Sequence, residues 1–240
     1  MKPKINHRLS LIISILYLTI QIPSFILSIF CNVSNVNGFY YSFIVINFIF
    51  SLIILFYNKN KDNLITSIAI FFTLIADTFL VLLNNQLNYI NQVIAMFSFN
   101  FTQITYYIKL LNYRNKLCIK LIDYFRISII LLIIIISLFV IKRFDLLAII
   151  SITYICLLFV NILESIKFFK INYLFTIGLI LFFCCDILIG LANCSDYLLI
   201  KEGSLFYKLL NTNIDLAWFF YYPSQIFILL SCIFPFSLED

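Results

Sequence analysis

Charged side chains are scarce in this sequence of 240 residues. Only 11% of the residues are Asp, Glu, Lys or Arg, whereas 63% are hydrophobic. A soluble domain carries about 25% charged residues, so a water-soluble fold could not bury this much apolar surface. The mean hydropathy is +1.07, and no polar stretch is long enough to form a second domain. The composition therefore predicts one integral membrane domain over residues 1–240.

Histidine, glycine and paired cysteines are also scarce, which removes several kinds of site. The only histidine, His7, lies near the N-terminus, so neither a three-histidine zinc site nor a Ser-His-Asp triad fits within the membrane. The four glycines form neither a phosphate-binding loop nor a G-x-x-x-G packing motif. The seven cysteines contain no C-x-x-C pair and are interpreted as apolar core thiols. We expect no metal, no cofactor and no nucleic-acid partner.

Long apolar segments make up most of the chain. They approach the roughly 20 residues that a helix needs to cross a bilayer, and they do not alternate as barrel strands must. The sequence therefore predicts an all-α transmembrane helix bundle with about eight spans. The predicted spans are 9–30, 39–57, 64–83, 90–111, 127–141, 146–163, 173–193 and 214–234.

Basic residues are distributed unevenly between the two sides of this topology. Lys and Arg collect on the cytoplasmic side of membrane proteins, and an inside N-terminus places twelve of the sixteen there. Only Lys142, Arg143, Lys201 and Lys208 fall in outer loops. The inner set is Lys2, Lys4, Arg8, Lys59, Lys61, Lys109, Arg114, Lys116, Lys120, Arg126, Lys167 and Lys170. We therefore predict a multi-pass protein of the cell membrane with both termini in the cytoplasm.

Two acidic residues fall inside predicted spans. Asp77 in the third span and Asp186 in the seventh each lie about seven residues from the outer end, which is roughly 10 Å below the outer boundary. A carboxylate facing lipid at that depth would cost at least ~2.5 kcal/mol, so both side chains should point inward. We interpret them as one shared site. The alternative is two independent structural acids, each hydrogen-bonded to a neighbouring helix.

Uncharged polar side chains are predicted to line the same site. Asn100, Gln103 and Tyr107 are spaced i, i+3, i+7 and share one face of the fourth span. Pro223 frees a backbone carbonyl in the eighth span, which is tolerable only where that group finds a partner. Tyrosines alone are equally compatible with an interfacial position. The predicted substrate-binding residues are Asn100, Gln103, Tyr107, Asn161, Tyr221, Tyr222 and Gln225, with Asn47 as a further candidate.

A weak internal similarity relates the two halves of the chain. Asp77 and Asp186 occupy comparable positions, and Thr102-Gln103-Ile104 in the next span is similar to Ser224-Gln225-Ile226. The third and seventh spans run in the same direction, so this pattern indicates a 4+4 parallel repeat. Chance matching in so biased a composition is the alternative.

These residues resemble the YhhN family of membrane proteins, and in particular a Gram-positive branch of it. The similarity covers most of the chain and is strongest over about 70–110 and 155–231. Its most specific parts are FFCCDILIGLAN at 182–193 and FFYYPSQ at 219–225. Two departures matter: Ala76 replaces the glycine usual before the first aspartate, and Gln103 replaces the usual histidine of the fourth span. Since glutamine cannot carry a proton, any proton-transfer role of that histidine is lost here.

The resemblance implies a lysoplasmalogenase, which hydrolyses the vinyl ether bond of lysoplasmalogens. It makes Asp77 and Asp186 the catalytic residues and a lysophospholipid with an alkenyl chain the substrate. Two carboxyls suit the reaction if one is protonated, to protonate the enol-ether carbon, and the other is ionised, to activate water. Burial and a like-charged neighbour can separate the two protonation states without metal or histidine. The aromatic interior would hold the alkenyl chain, and the amides and tyrosines would lie near the polar linkage.

Two other interpretations of these residues remain open. A lipid- or small-molecule-binding protein or a proton-coupled transporter would employ the aspartates as a relay, and the missing histidine favours it. A purely structural scaffold would leave the polar residues scattered through the bundle.

Overall fold

Seven α-helices account for almost all of the described chain. The computed structural model describes residues 7–30, 36–83, 89–113, 145–193 and 215–233, with the single positions 128, 135 and 204. The helices are α1 (His7–Phe30), α2 (Val36–Tyr57), α3 (Lys61–Asp77), α4 (Tyr89–Tyr113), α5 (Leu146–Lys167), α6 (Tyr173–Asn193) and α7 (Leu216–Ile233). Within those ranges there is no strand, which confirms the all-helical class.

Seven of the eight predicted spans coincide with these helices. The remaining one, 127–141, lies outside the described residues apart from two isolated positions, so the count of eight stays a prediction. Six helices are long and apolar enough to cross a membrane: α1, α2, α3 with its extension to Leu82, α5, α6 and α7. α4 is equally long at 25 residues but carries more polar side chains. The protein is therefore a helical membrane protein.

Asn and Asp residues set the starts of four helices. Asn60 precedes α3 and its side chain accepts a hydrogen bond from the backbone N–H of Asn63 at 2.6 Å. Asp145 does the same for α5, Asn172 for α6 and Asp215 for α7. These side chains satisfy N–H groups that the first turn of a helix leaves unpaired.

The third span changes its helical form immediately after Asp77. Residues Thr78–Leu82 continue it as a π-helical segment, in which the N–H of Leu83 bonds to the carbonyl of Thr78 at 3.0 Å. Single π-helical turns are often found beside functional residues because they rotate the side chains that follow. The Thr78 hydroxyl also lies 3.1 Å from the hydroxyl of Tyr41 on α2.

Small residues allow two pairs of consecutive helices to pack closely. A Cβ atom added at Gly178 on α6 would lie 2.7 Å from the Ile228 side chain and 3.0 Å from the Ser224 carbonyl, both on α7. On α3, the carbonyl of the fully buried Ala69 accepts a hydrogen bond from Thr102 of α4 at 3.3 Å. The site described below lies between these two pairs and α5.

Candidate active site

Asp77 is buried where α3 meets α7. Its side chain is only 4% exposed, and the hydroxyl of Tyr221 donates a hydrogen bond to its carboxylate oxygen Oδ2. Tyr221 is itself 5% exposed. The side chain of Asp77 therefore points into the bundle, as expected. A residue of the last described helix supplies its hydrogen bond.

Asp186 on α6 is held by a tyrosine in the same way. The hydroxyl of Tyr154 on α5 donates to Asp186 Oδ2 at 2.5 Å, and Asp186 itself is partly buried. Sequence reasoning missed Tyr154. A signal was available, because Tyr154 and Asn161 are spaced i, i+7 and therefore share one face of α5.

A continuous layer of aromatic rings connects the two acids. Tyr221 packs against Phe182 with ring centroids 5.6 Å apart, and Phe182 packs against Phe99 at 6.0 Å. Phe99 in turn packs against Tyr154 at 5.5 Å. Phe182 lies one turn before Asp186 on α6. Both acids therefore belong to one layer, which we call the carboxyl layer: Asp77, Asp186, Tyr154, Tyr221, Phe99 and Phe182.

Two asparagine–glutamine pairs lie further along the same helices. Asn161 Nδ2 on α5 donates to Gln103 of α4 twice, to the backbone carbonyl at 2.8 Å and to Oε1 at 3.0 Å. Asn47 Nδ2 on α2 donates to Gln225 Oε1 on α7 at 3.4 Å. All four side chains are at most 1% exposed. Asn47 also accepts a hydrogen bond from the hydroxyl of Tyr17 at 2.7 Å.

The remaining predicted site residues of α4 differ in how deeply they are buried. Asn100 is buried, and its Nδ2 donates to the carbonyls of Met96 at 2.9 Å and Ile150 at 3.0 Å. Tyr107 is only partly buried, whereas the preceding Tyr106 is fully buried. Asn100 and Gln103 are therefore both buried on α4, and Tyr107 is less deeply buried than either.

Tyr222 packs against a different neighbouring helix from Tyr221. Its ring is fully buried, 3.7 Å from the ring of Phe43 and 6.2 Å from that of Tyr40, both on α2. The adjacent Tyr221 faces Asp77. The two neighbouring tyrosines thus belong to different clusters, as side chains about 100° apart on a helix must.

Lys109 is the clearest departure from the sequence interpretation. It was expected among the basic residues that face the cytoplasmic side, but it is fully buried in the bundle. Its Nζ donates to Thr66 at 2.8 Å and Ser231 at 3.3 Å, and it lies 3.4 Å from Asp62 Oδ2. The aliphatic part of the side chain lets the ammonium group reach past apolar neighbours to these oxygens. The position of Lys109 near the end of α4 did not indicate that these partners would be present.

Comparison with known proteins agrees with this arrangement. The sequence model of the YhhN family matches residues 39–232, a segment that contains both acids, their tyrosine partners and both asparagine–glutamine pairs. Neither the curated proteins nor the solved structures include a match. Because the family match covers well over half of the chain, this membrane protein belongs to the YhhN family.

Proposed function

We propose that the protein is a membrane hydrolase similar to lysoplasmalogenase, which cleaves the vinyl ether bond of lysoplasmalogens. The observation that carries the proposal is the carboxyl layer. Two intramembrane acids each accept a hydrogen bond from a tyrosine, and aromatic rings join them. A pair of carboxyls can serve as general acid and general base, and an apolar lining suits the hydrocarbon chain of a lipid.

The reaction divides between the two carboxyls. One, protonated, gives its proton to the double-bond carbon that is not bonded to oxygen, which leaves a positively charged oxocarbenium centre at the carbon bonded to oxygen. Water attacks that carbon as the ionised carboxylate takes the water's proton, so that a hemiacetal forms. The C–O bond then breaks, the departing glycerol oxygen receives a proton, and the hemiacetal hydroxyl loses one to give a fatty aldehyde. Asp77 and Asp186 are the groups proposed for these proton transfers.

We further propose that a lipid enters the site from the outer side of the bilayer. We propose eight crossings with both termini in the cytoplasm, which puts the carboxyl layer nearer the outer surface. Asn100 on α4 contacts Ile150 on α5, and Gln103, further along α4, contacts Asn161, further along α5. The two helices therefore run in the same direction. A fourth and a sixth crossing must be parallel in this way.

The proposed repeat of two halves also has support in matching hydrogen bonds. The Ser67 hydroxyl on α3 donates to the carbonyl of Ser51 on α2 at 3.1 Å. The Thr176 hydroxyl on α6 donates to the carbonyl of Ser165 on α5 at the same distance. The repeat would also relate the two asparagine–glutamine pairs, because α2 would correspond to α5 and α4 to α7. One pair joins α5 with α4, and the other joins α2 with α7. Each half would thus contribute one acid, one asparagine and one glutamine, and both pairs would join the two halves.

A second candidate is a proton-coupled transporter or a lipid-binding protein. The observation in its favour is that buried polar groups continue from the carboxyl layer towards the Lys109–Asp62 ion pair near the other end of α3 and α4. In this function the acids would carry protons without bond cleavage.

One paired experiment separates the candidates. Purified protein in detergent is incubated with lysoplasmalogens of several headgroups, and aldehyde release is measured. The same protein in liposomes is tested for uptake of lipid or protons. The hydrolase predicts aldehyde release that depends on the protein; uptake without aldehyde would favour the transporter and contradict the hydrolase.

A further inference from the structure

The buried face of α1 ends just before Pro23. Up to that point, buried side chains recur every three or four residues, as on one face of a helix: Ser10, Ile13, Ser14, Tyr17 and Gln21. Residues 24–29, which we call the end segment, follow the proline, and all six are partly or fully exposed. The two parts of α1 therefore pack differently against the bundle.

Hydrogen bonds to α2 anchor the part of α1 that precedes the proline. The Tyr17 hydroxyl donates to Asn47 Oδ1 at 2.7 Å, and Gln21 Nε2 donates to the Phe43 carbonyl at 3.3 Å. Tyr17 and Gln21 are both 0% exposed. Moving this part of α1 would break two buried hydrogen bonds, so it is held in place.

The end segment contacts the bundle through an apolar side chain. The hydroxyls of Ser24 and Ser28 donate to backbone carbonyls of α1 itself. Phe25 packs against two rings of α7, with centroids 5.7 Å from Phe219 and 5.8 Å from Tyr222. Such contacts are non-directional, so they can be broken and made again at little cost beside a lipid phase that is equally apolar.

Pro23 provides a hinge between the two parts of α1. Proline has no N–H, so position 23 cannot donate the usual helical hydrogen bond to the carbonyl of Thr19, and its ring crowds that carbonyl. Sharp bends in helices are typical of such positions. The end segment can therefore swing about Pro23 while Tyr17 and Gln21 stay in place.

Aromatic rings lead from the end segment to the first acid. Tyr222, which Phe25 contacts, lies 5.9 Å from the ring of Trp218. Trp218 lies 5.2 Å from the ring of Tyr221, whose hydroxyl donates to Asp77. A hydrocarbon chain that passed the end segment would thus meet aromatic rings as far as the carboxyl layer.

We propose that the end segment is a lateral gate hinged at Pro23, and that a single-chain lipid enters between it and α7 to reach Asp77. The passage of a lipid substrate rests on the proposed function, whereas the hinge does not. A lipid is the class of ligand that suits this entrance, because Ile26 and Leu27 of the end segment are exposed on the surface that faces the bilayer.

Backbone hydrogen exchange tests the hinge without any substrate. Pro23→Ala restores the missing N–H donor, so the amides of residues 24–29 should exchange several-fold more slowly than in wild-type protein. Ile22→Ala is the matched control, because Ile22 is adjacent and exposed, and the proline stays in place. Unchanged exchange in Pro23→Ala, or equal slowing in both variants, would overturn the hinge.

A reversible tether tests the gate. Phe25→Cys combined with Phe219→Cys can be bridged by a short bifunctional methanethiosulfonate, which fixes the end segment to α7. Phe48→Cys combined with Phe71→Cys is the matched control, since those two rings are also 5.7 Å apart but join α2 to α3. The single-cysteine variants, treated in the same way, account for reaction at the seven native cysteines.

The probe is a lysophospholipid whose saturated alkyl ether chain carries bromine, so that it cannot be hydrolysed and quenches tryptophan fluorescence. Trp218 is the only tryptophan and lies on the proposed path. Protein in phosphatidylcholine nanodiscs is loaded with the probe, bridged, and then given an excess of the unbrominated lipid. Fluorescence should recover with the control bridge. It should stay quenched with the bridge between positions 25 and 219 until a reductant cleaves it.

The outcomes separate the gate from the proposed reaction. Equal recovery with both bridges would overturn the gate, even in a protein that releases aldehyde, and so would a probe that never quenches Trp218 in the unbridged protein. A probe that is trapped in a protein inert on every lysoplasmalogen would contradict the hydrolase and leave the gate standing. If both proposals hold, bridging positions 25 and 219 before substrate is added should abolish aldehyde release, and the control bridge should not.

Discussion

Tyr221 on α7 donates a hydrogen bond to Asp77 on α3, so the last helix of the described chain holds the first of the two buried acids. The second acid, Asp186, receives the equivalent bond from Tyr154 on α5. The hydrogen bond to each acid therefore comes from a helix other than its own. The protonation of both acids is consequently linked to how α3, α5, α6 and α7 pack together.

Removing either tyrosine hydroxyl should slow catalysis. Tyr221→Phe and Tyr154→Phe each delete one hydrogen bond to a carboxyl, and such a bond is worth about 1.5–3 kcal/mol. We expect initial rates of aldehyde release to fall roughly tenfold to a hundredfold. Tyr113→Phe is the matched control, because Tyr113 also donates to a carboxyl, Asp62 Oδ2, at 3.1 Å but outside the carboxyl layer. Equal losses in all three variants would show a general packing effect.

Gly178→Ala should destabilise the bundle. The added methyl group would lie 2.7 Å from the Ile228 side chain and 3.0 Å from the Ser224 carbonyl, so α6 and α7 would have to separate. Overpacking of this kind costs about 1–3 kcal/mol. At Gly190, on the same helix, the described part of the chain has no atom within 4 Å of an added Cβ. Gly190→Ala should therefore be neutral or stabilising by up to ~1 kcal/mol, and unfolding in detergent compares the two.

Breaking the Lys109–Asp62 ion pair should be costly, and part of the loss should be recoverable. Asp62→Asn leaves the fully buried Lys109 ammonium without its counter-charge, which destabilises by about 3–5 kcal/mol in comparable pairs. Replacing the lysine as well, by Lys109→Met, removes the uncompensated charge. We expect the double variant to be more stable than Asp62→Asn alone in thermal unfolding. A double variant less stable than either single one would contradict this role.

The predicted topology has a direct test. Reporter fusions should place both termini in the cytoplasm and the loop 194–213 outside. The physical basis is the excess of basic residues on one side, which survives the removal of the buried Lys109 from that set. An outward-facing C-terminus would overturn the count of eight crossings, with residues 127–163 the first place to revise.

The sequence was sufficient for the seven described helices and for the burial of Asp77. Apolar runs of membrane-spanning length predicted these helices, and a carboxyl such as Asp77 is too costly to leave facing lipid. The partners of these acids were harder to predict. A helix that is apolar all round has no distinct inner face, so its rotation is not encoded in hydrophobic periodicity.

Because the rotation of such helices is not encoded, the sequence did not reveal several contacts of individual side chains. Tyr154 looked like one more aromatic in an apolar helix, and only its contact with Asp186 gives it a role. Tyr107, assigned to the site from its spacing, is partly buried, whereas its neighbour Tyr106 is fully buried, so its role in the site stays a prediction. Lys109 looked like an interfacial charge because its oxygen partners come from α3 and α7, far away in the sequence.

The most direct test of the account compares aldehyde release by wild-type protein with that of Asp77→Asn and Asp186→Asn, each shown to remain folded in detergent. If the two carboxyls divide the acid and base roles, each change should reduce the rate by about a hundredfold to ten-thousandfold, and the losses should not add in the double variant. Gln103→Ala should cost far less, since an amide cannot transfer a proton at neutral pH. Full activity in Asp186→Asn, or a wild-type protein inert on every lysoplasmalogen headgroup, would contradict the account.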